Sequence, residues 1–284
     1  MKPAPFVYHR PTSVSEMLTL LDEHGDDAKV LAGGQSLVAA MNFRLARPSM
    51  LIDANHLPDL STVAVDGNHL VIGALTRHAT FHKPVVDHPI GHLLSRVVRF
   101  IAHYPIRQRG TFGGSLCHAD PASEWCLVAT VLDAEMLIES RAGKRRVPAK
   151  EFFKGTFTTA LKPNELLTHI RLPFGNPAVK GGFYEFSRRA GDFALAMALV
   201  TLECDGSRIT AARLGLGGVA DRPLRLSSLE AKLVGQQADE PTFKVIAAEA
   251  TGLITPTSDI HGTVEYRKDL IKAVLSRALV EAAA

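Results

Sequence analysis

Two pairs of consecutive glycines are the residues of this sequence whose spacing best suits the binding of an anion. The first pair lies in Ala32-Gly33-Gly34-Gln35-Ser36, and the second lies in Thr111-Phe112-Gly113-Gly114-Ser115. Because glycine has no Cβ atom, backbone N–H groups can turn toward one point, and a following helix adds the positive end of its dipole. Either pair alone is as often a simple turn as an anion-binding loop. Together they favour a ligand with two linked phosphates over a ligand with one.

Neither glycine segment has the spacing of the common nucleotide-binding loops. Both lack Gly-x-Gly-x-x-Gly and Gly-x-x-x-x-Gly-Lys-Ser/Thr, so the Rossmann and P-loop interpretations fail. The first segment is predicted to connect a strand at residues 28–31 to a helix at residues 36–45. The second lies within residues 104–115, which are too rich in Gly and Pro for regular structure and are predicted to form a functional loop.

Apolar patterns elsewhere in the first 172 residues predict mixed α and β structure. Ser13 and Glu16 form a capping-box pattern at the start of a predicted helix over residues 13–24. Two further amphipathic patterns predict helices over residues 89–102 and 121–132. The predicted strands are 50–53, 61–65, 69–73, 135–140, 144–147 and 165–172.

A cluster of Pro and Gly over residues 172–182 predicts a linker between two domains, 1–176 and 177–284. Beyond it, three strand-like runs precede three helical patterns. They predict a small C-terminal α+β domain in which a three-stranded sheet is backed by helices. The predicted strands are 183–187, 197–204 and 209–216, and the predicted helices are 226–234, 241–253 and 263–282.

The composition excludes several classes of protein. Of the 284 residues, 46% are hydrophobic and 21% are charged, which is typical of a globular protein rather than a disordered or collagen-like one. A net charge of +3 is too small to supply the phosphate neutralisation that binding to nucleic acid needs. No apolar run approaches the roughly 18 to 20 residues that cross a bilayer, and the chain starts without a signal-peptide hydrophobic region, so a cytoplasmic location is expected.

Four segments, in the expected order along the chain, resemble the FAD-binding medium subunits of molybdenum hydroxylases. This is the family of carbon monoxide dehydrogenase medium chains and xanthine dehydrogenase FAD-binding subunits. The segments are KVLAGGQSL from Lys29, PIRQRGTFGGSLCHADP from Pro105, SRRAGDFA from Ser187 and EYRKDL from Glu265. The resemblance covers essentially the whole chain. It implies a vanillyl-alcohol-oxidase (PCMH)-type FAD-binding domain in two α+β lobes, followed by a C-terminal domain of the CO dehydrogenase flavoprotein type.

The resemblance also implies which residues bind FAD. They are Lys29, Leu31, Ala32, Gly33, Gly34, Gln35, Ser36, Leu37, Thr111, Phe112, Gly113, Gly114, Ser115, Asp120, Glu124, Leu167, Tyr184 and Phe193. Phe193 stands where relatives often carry Tyr or Trp, so it can stack but cannot form a phenol or indole hydrogen bond. Ser115 stands where many relatives carry Asn. Neither a catalytic residue nor a metal ligand is implied in this chain.

Other candidate residues are less specific. His78 and His82 have the spacing of one helix face but no third ligand in pattern, so a zinc site is not expected. The place of His118 inside the second nucleotide segment favours a structural or flavin-adjacent role. For Arg107 and Arg109, contact with a phosphate or a partner chain and a role as solvated loop charges are both left open.

From the resemblance we expect an oxidoreductase subunit that binds FAD non-covalently and passes electrons from [2Fe–2S] clusters to an external acceptor. Two clusters need about eight thiolates, and this chain has three cysteines. We therefore expect the clusters on a separate small [2Fe–2S] subunit, and the resemblance implies a large subunit with the molybdenum cofactor in a heterohexamer that is a dimer of heterotrimers. A free-standing FAD-dependent oxidoreductase and a nucleotide-responsive regulatory module are the alternatives. Neither the substrate nor the acceptor can be identified from the sequence.

Overall fold

A parallel sheet of three strands forms the first part of the fold and carries the first glycine pair. The computed structural model describes residues 2–284. The elements here are β1 Val7–His9, α1 Val14–His24, β2 Ala28–Leu31, α2 Leu37–Asn42 and β3 Met50–Asp53. The strand order is β1-β3-β2, and both pairings are parallel. Ser13 caps α1 by accepting a hydrogen bond from the backbone N–H of Glu16 at 3.1 Å, as the capping pattern predicts.

An antiparallel sheet of five strands forms the second part, in the order β4-β5-β10-β6-β7. A 3-10 turn at His78–His82 and several helices lie between its strands. The elements are β4 Val63–Asp66, β5 His69–Gly73, α3 Pro89–Val97, α4 Tyr104–Arg109, α5 Phe112–His118, α6 Glu124–Val131, β6 Glu135–Ser140, β7 Gly143–Pro148, α7 Ala149–Phe152, β8 Phe153–Gly155, β9 Thr158–Thr159 and β10 Leu166–Pro173. The predicted helices and strands are found here, but α3 ends before the predicted residue 102 and α6 begins after the predicted residue 121.

The prediction of an irregular loop over residues 104–115 is wrong, because this segment contains α4 and the start of α5. Pro105 lies in the first turn of α4. A backbone N–H in that turn has no acceptor within the helix, so the missing N–H of proline costs no helical hydrogen bond. Thr111 is the N-cap of α5, and its hydroxyl accepts a hydrogen bond from the N–H of Gly114 at 3.0 Å. The second glycine pair therefore lies in the first turn of a helix.

The C-terminal part is an antiparallel sheet packed against helices. Its elements are β11 Lys180–Phe186, β12 Ala196–Asp205, β13 Arg208–Gly217, β14 Leu224–Arg225, α8 Ser227–Leu233, α9 Glu240–Leu253 and α10 Val264–Ala283. The sheet has four strands rather than the predicted three, because β14 has two residues and is too short to show an alternating pattern. A Cβ atom on Gly182 would overlap the carbonyl oxygen of Ala278, so this glycine allows α10 to pack directly on the sheet.

Three hydrophobic clusters fill the interior. One lies under the parallel sheet and one lies between the C-terminal sheet and its helices. The largest lies under the five-stranded sheet and contains Phe81, Phe112 and Trp125, whose rings pack against one another. Among the helices of residues 2–284, none combines the length and apolar character that spanning a membrane requires.

Candidate functional site

A cavity of about 1110 Å³ lies where the three parts of the fold meet. Its walls include both glycine pairs, the C-terminal end of α5, and segments of the C-terminal part around Phe193 and Asp259. Most small-molecule sites enclose roughly 300–1,000 Å³, so the space suits a ligand of dinucleotide size. The two segments, about 80 residues apart in sequence, thus share one crevice.

The structure brings most of the predicted site residues into this cavity. Its walls include Lys29, Ala32, Gly33, Gly34, Gln35, Ser36, Leu37, Thr111, Gly113, Gly114, Ser115, Asp120, Glu124, Leu167 and Phe193. The exposed fraction of Phe193 is 69%, and its ring is thus available to a ligand. This grouping is the arrangement that a single ligand contacting both segments would need.

Three predicted site residues do not line this cavity. Leu31 lines a second cavity, whose wall also includes the first glycine pair. Phe112 is fully buried among the core aromatic rings. The ring of Tyr184 lies below the guanidinium of Arg277, at 4.6 Å from the ring centroid, and its hydroxyl accepts a hydrogen bond from that guanidinium. The contact of these three residues with a ligand therefore stays a prediction that the shape of the large cavity does not support.

The first glycine pair presents unpaired backbone donors. Gly34 has a φ of +74°, a conformation that glycine adopts readily, and this bend leads directly into α2. The N–H groups of the four residues Gly33 to Ser36 have no acceptor among residues 2–284. Backbone donors next to a cavity need a partner, so this segment is suited to hold an anionic group.

The sequence predicts a second anion-binding loop at Gly113 and Gly114, but the structure shows acceptors for the backbone N–H groups there. The N–H of Phe112 donates to the carbonyl of Thr76, and that of Gly113 donates to the carbonyl of Ala74, both at 2.9 Å. The N–H of Gly114 donates to the Thr111 hydroxyl. Because these donors are already used, the second segment forms a wall of the cavity, and the first supplies the free N–H groups.

The two glycine segments also contact each other. A Cβ atom on Gly33 would lie 2.7 Å from the Cα of Gly110 and still closer to the carbonyl oxygen of Arg109. A Cβ atom on Gly114 would lie 3.7 Å from the Cβ of Ala32. Glycine is therefore required at position 33 for the close approach of two backbones.

Replacing Thr111 by valine should weaken the second segment, because the N–H of Gly114 would lose its acceptor. The loss of an N-cap costs about 1 kcal/mol, which corresponds to a fall in Tm of roughly 2–4 °C for a chain of this size. Thermal unfolding followed by circular dichroism measures the change. Thr111→Ser keeps the hydroxyl and should unfold close to the wild-type Tm; an equal loss in both variants would contradict the capping role.

Two neighbouring carboxyl groups, one of them in the cavity wall, have raised pKa values. Burial raises the pKa of Glu124 to about 7, and the charge of Asp120 adds to this effect. Burial and the charge of Glu124 raise the pKa of Glu185 to about 9. Oε2 of Glu185 is buried and has no hydrogen-bond partner among the described residues. Fewer negative charges therefore oppose an anionic ligand than the number of carboxyl groups suggests.

Cys117 and His118 line the same cavity at the end of α5. The protein around the Cys117 side chain desolvates its thiol and raises the pKa to about 12. A thiol that stays protonated at neutral pH is a weak nucleophile. Desolvation also lowers the pKa of His118, whose ring stacks on Phe157 at a centroid distance of 4.8 Å. The protonated thiol therefore favours a ligand that forms no covalent bond with Cys117.

The remaining candidates from the sequence have structural contacts. His78 is buried and accepts a hydrogen bond from the Trp125 indole at 3.0 Å, while His82 contacts the guanidinium of Arg107. Arg107 also donates to the carbonyls of Ile101 and Ala102, so it stabilises the chain after α3. No group of three or more metal-ligand side chains is found within residues 2–284.

Several residues of the cavity wall were not predicted, because they are distant in sequence from the two glycine segments. They are Arg188, Asp192, Asp259, His261 and Arg267. The guanidinium of Arg267 donates to Oδ2 of Asp259 at 2.7 Å and to the carbonyl of Gly218 at 3.1 Å, which holds these segments together. Three of the five, Arg188, Asp192 and Arg267, lie in the segments that begin at Ser187 and Glu265, and those segments were the available signal.

Fold and site together define an α+β protein that binds a dinucleotide, and comparison with known proteins identifies its family. A family model described as the FAD-binding domain in molybdopterin dehydrogenase matches residues 4–175. A second, described as the CO dehydrogenase flavoprotein C-terminal domain, matches residues 182–282. The chain belongs to the family of FAD-binding subunits of molybdenum hydroxylases, which are subunits of oxidoreductases.

Individual relatives match along the whole chain. Caffeine dehydrogenase subunit beta from Pseudomonas sp. strain CBB1 is 37% identical over 100% of this chain and 96% of its own length. The carbon monoxide dehydrogenase medium chain from Hydrogenophaga pseudoflava is 33% identical over 98% of this chain and 97% of its own length. A solved structure of carbon monoxide dehydrogenase from that organism matches with a TM-score of 0.95 and 34% identity, covering 99% of this chain and 98% of the other.

Proposed function

We propose that this chain holds FAD non-covalently in the large cavity and serves as the electron-transfer subunit of a molybdenum hydroxylase. The observation that carries the proposal is the row of free N–H groups from Gly33 to Ser36 at the wall of a dinucleotide-sized cavity. A diphosphate is anionic and rich in acceptors, so it satisfies these donors. The cavity also offers Lys29 and an exposed aromatic ring at Phe193.

Each part of the chain has a separate task in this proposal. The first glycine segment would bind the diphosphate, and the wall around Gly113 and Gly114 would close the opposite side. Asp120 and Glu124 would contact polar groups of the cofactor, Glu124 partly as a hydrogen-bond donor because of its raised pKa. When bound, FAD supplies an acceptor that takes up electrons and passes them on, and the protein supplies binding, orientation and tuning.

We also propose the type of the FAD-binding domain and the boundary between the two domains. We assign residues 1–176 to a vanillyl-alcohol-oxidase (PCMH)-type domain whose two lobes are the parallel and the five-stranded sheets with their helices. We assign residues 177–284 to the C-terminal domain. The separate hydrophobic cluster between the C-terminal sheet and its helices supports this division. Residues such as Phe183 and Met197 pack instead on the central cluster, so the two domains would share an interface.

Partner subunits follow from what this chain lacks. Two [2Fe–2S] clusters need about eight thiolates, and the three cysteines here are neither sufficient nor grouped with other metal ligands in the described residues. We propose a small subunit with the clusters and a large subunit with the molybdenum cofactor, arranged as a dimer of heterotrimers. The relatives are named for caffeine and for carbon monoxide, so membership of the family does not identify the substrate.

FAD titration of the purified chain tests the proposal. Quenching of flavin fluorescence should saturate at one FAD per chain, and precipitation with acid should release all the flavin because no covalent bond holds it. Mixing the loaded chain with a reduced [2Fe–2S] subunit should bleach the flavin absorbance. A chain that takes up no FAD would contradict the proposal, and turnover of a substrate by this chain alone would favour the free-standing enzyme.

A further inference from the structure

Asn55 and Arg77 lie behind the first glycine pair, outside the large cavity. Asn55 follows β3 by two residues and lines the second cavity, of about 440 Å³, whose wall also includes Gly33 and Gly34. Arg77 precedes the 3-10 turn, and its backbone forms an antiparallel bridge with that of Thr111. Neither side chain lines the large cavity, so neither is placed to touch a ligand there.

Asn55 fixes the orientation of one peptide unit in the first glycine segment. Its Nδ2 donates to the carbonyl oxygen of Ala32 at 2.7 Å. In a planar trans peptide, the C=O and the following N–H point in opposite directions. The N–H of Gly33 belongs to the same peptide unit, so it is directed away from Asn55, and Gly33 itself lines the large cavity. This N–H is also one of the four N–H groups that have no acceptor in the described part of the chain.

Arg77 fixes the orientation of the Asn55 amide and connects both glycine segments. Its Nη2 donates to Oδ1 of Asn55 at 2.7 Å, which keeps the donor end of the amide toward Ala32. Its Nη1 donates to the carbonyl oxygen of Arg109, the group that Gly33 approaches most closely. One guanidinium therefore holds the acceptor end of Asn55 and the backbone of the second segment at the same time.

Asp53 and Tyr8 hold Asn55 from its other side. Oδ1 of Asp53 accepts from the backbone N–H of Asn55 at 2.9 Å and from its Nδ2 at 2.6 Å. The hydroxyl of Tyr8 donates to the other carboxylate oxygen of Asp53 at 2.5 Å. The amide is thus fixed by partners on each side, which is the condition for a group that orients another group.

We propose that Asn55 and Arg77 are positioning residues for the cofactor. They hold the Gly33 N–H in the direction in which this group binds the diphosphate, and neither side chain touches the diphosphate. This inference rests on the proposed binding of FAD. Failure of the wild-type chain to bind FAD would contradict that function, whereas unchanged binding by the variants below would contradict only the positioning role.

The test compares isosteric variants with matched controls. Asn55→Asp keeps the size and the contact with Arg77 but places an acceptor against the Ala32 carbonyl. Asn42→Asp makes the same chemical change in the wall of the same smaller cavity. Arg77→Lys keeps the charge but loses the pair of nitrogen atoms that donates separately to Asn55 and Arg109, and Arg208→Lys, at an exposed arginine that also donates to a backbone carbonyl, is its control. Each test variant should weaken FAD binding about tenfold or more, and each control should stay within about twofold of wild type.

Two further measurements separate positioning from general stability. Both residues act on one peptide unit. The affinity of the double variant for FAD should therefore be no lower than that of the single variant with the lower affinity. The ³¹P resonances of bound FAD at saturation should shift in both test variants and in neither control. Independent effects that add in the double variant, or unshifted ³¹P resonances, would overturn the proposal. If Asn55→Asp does not fold, Arg77→Lys and its control decide the outcome alone.

Discussion

Replacing Gly33 by valine should lower the affinity for FAD by at least about 100-fold, close to 2.7 kcal/mol. The new Cβ would lie 2.7 Å from the Cα of Gly110 and closer still to the carbonyl oxygen of Arg109. Both obstacles are backbone atoms, which cannot move aside as a flexible side chain can. The two glycine segments would have to separate, and the free N–H groups would lose their placement at the cavity wall.

Fluorescence titration with FAD and the Tm of the FAD-free chain should be measured together for Gly33→Val. Gly252→Ala is the matched control, because a Cβ at that position in α9 meets no atom within 4 Å. It should bind FAD as the wild type does, and its Tm should be equal or slightly higher, since alanine favours a helix interior over glycine. Wild-type affinity in Gly33→Val would show that the contact between the segments is not needed for binding.

Replacing Glu185 by glutamine should stabilise the FAD-free chain at alkaline pH and change little near pH 4.5. The pKa of this carboxyl is raised from about 4.5 to about 9, first by burial and then by the charge of Glu124. Between these two values the folded chain keeps a proton that the unfolded chain releases, so stability falls as pH rises. Glutamine has no proton to release, and at pH 8 the variant should gain about 1–3 kcal/mol.

Thermal unfolding at several pH values between 4.5 and 9 measures this difference. At pH 8 the gain corresponds to a Tm higher by roughly 2–12 °C for a chain of this length. The exposed Glu151 on α7 provides the control, since Glu151→Gln should leave the pH dependence unchanged. If the Tm of Glu185→Gln followed that of the wild type at every pH, the Glu185 carboxyl would not be held neutral by the fold.

Local pattern was sufficient to predict the strand, glycine bend and helix around Gly33, because each of these depends on neighbouring residues. It was not sufficient for Gly113 and Gly114. Their segment looked irregular because Gly and Pro were counted as helix breakers, whereas Pro105 and Thr111 begin helices. The acceptor for Gly113, the carbonyl of Ala74, lies 39 residues earlier, and such a pairing leaves no periodic signal.

The same reason explains why three predicted residues do not line the large cavity and why other residues of its wall were not predicted. The positions of Leu31, Phe112 and Tyr184 followed from motif matching, which gives the place in the chain but not the direction of the side chain. Whether a strand residue faces a cavity or a helix depends on sheet pairing and on packing. Asn55 and Arg77 belong to no recognisable motif. Their role depends on contacts between segments 22 and 32 residues apart, which only the folded chain reveals.

The wall of the large cavity includes residues from Leu21 to Arg267. During synthesis on the ribosome, the enclosure stays incomplete until nearly the whole polypeptide has emerged. A polypeptide that ended before Asp259 would therefore lack the part of the wall that Asp259 and Arg267 form.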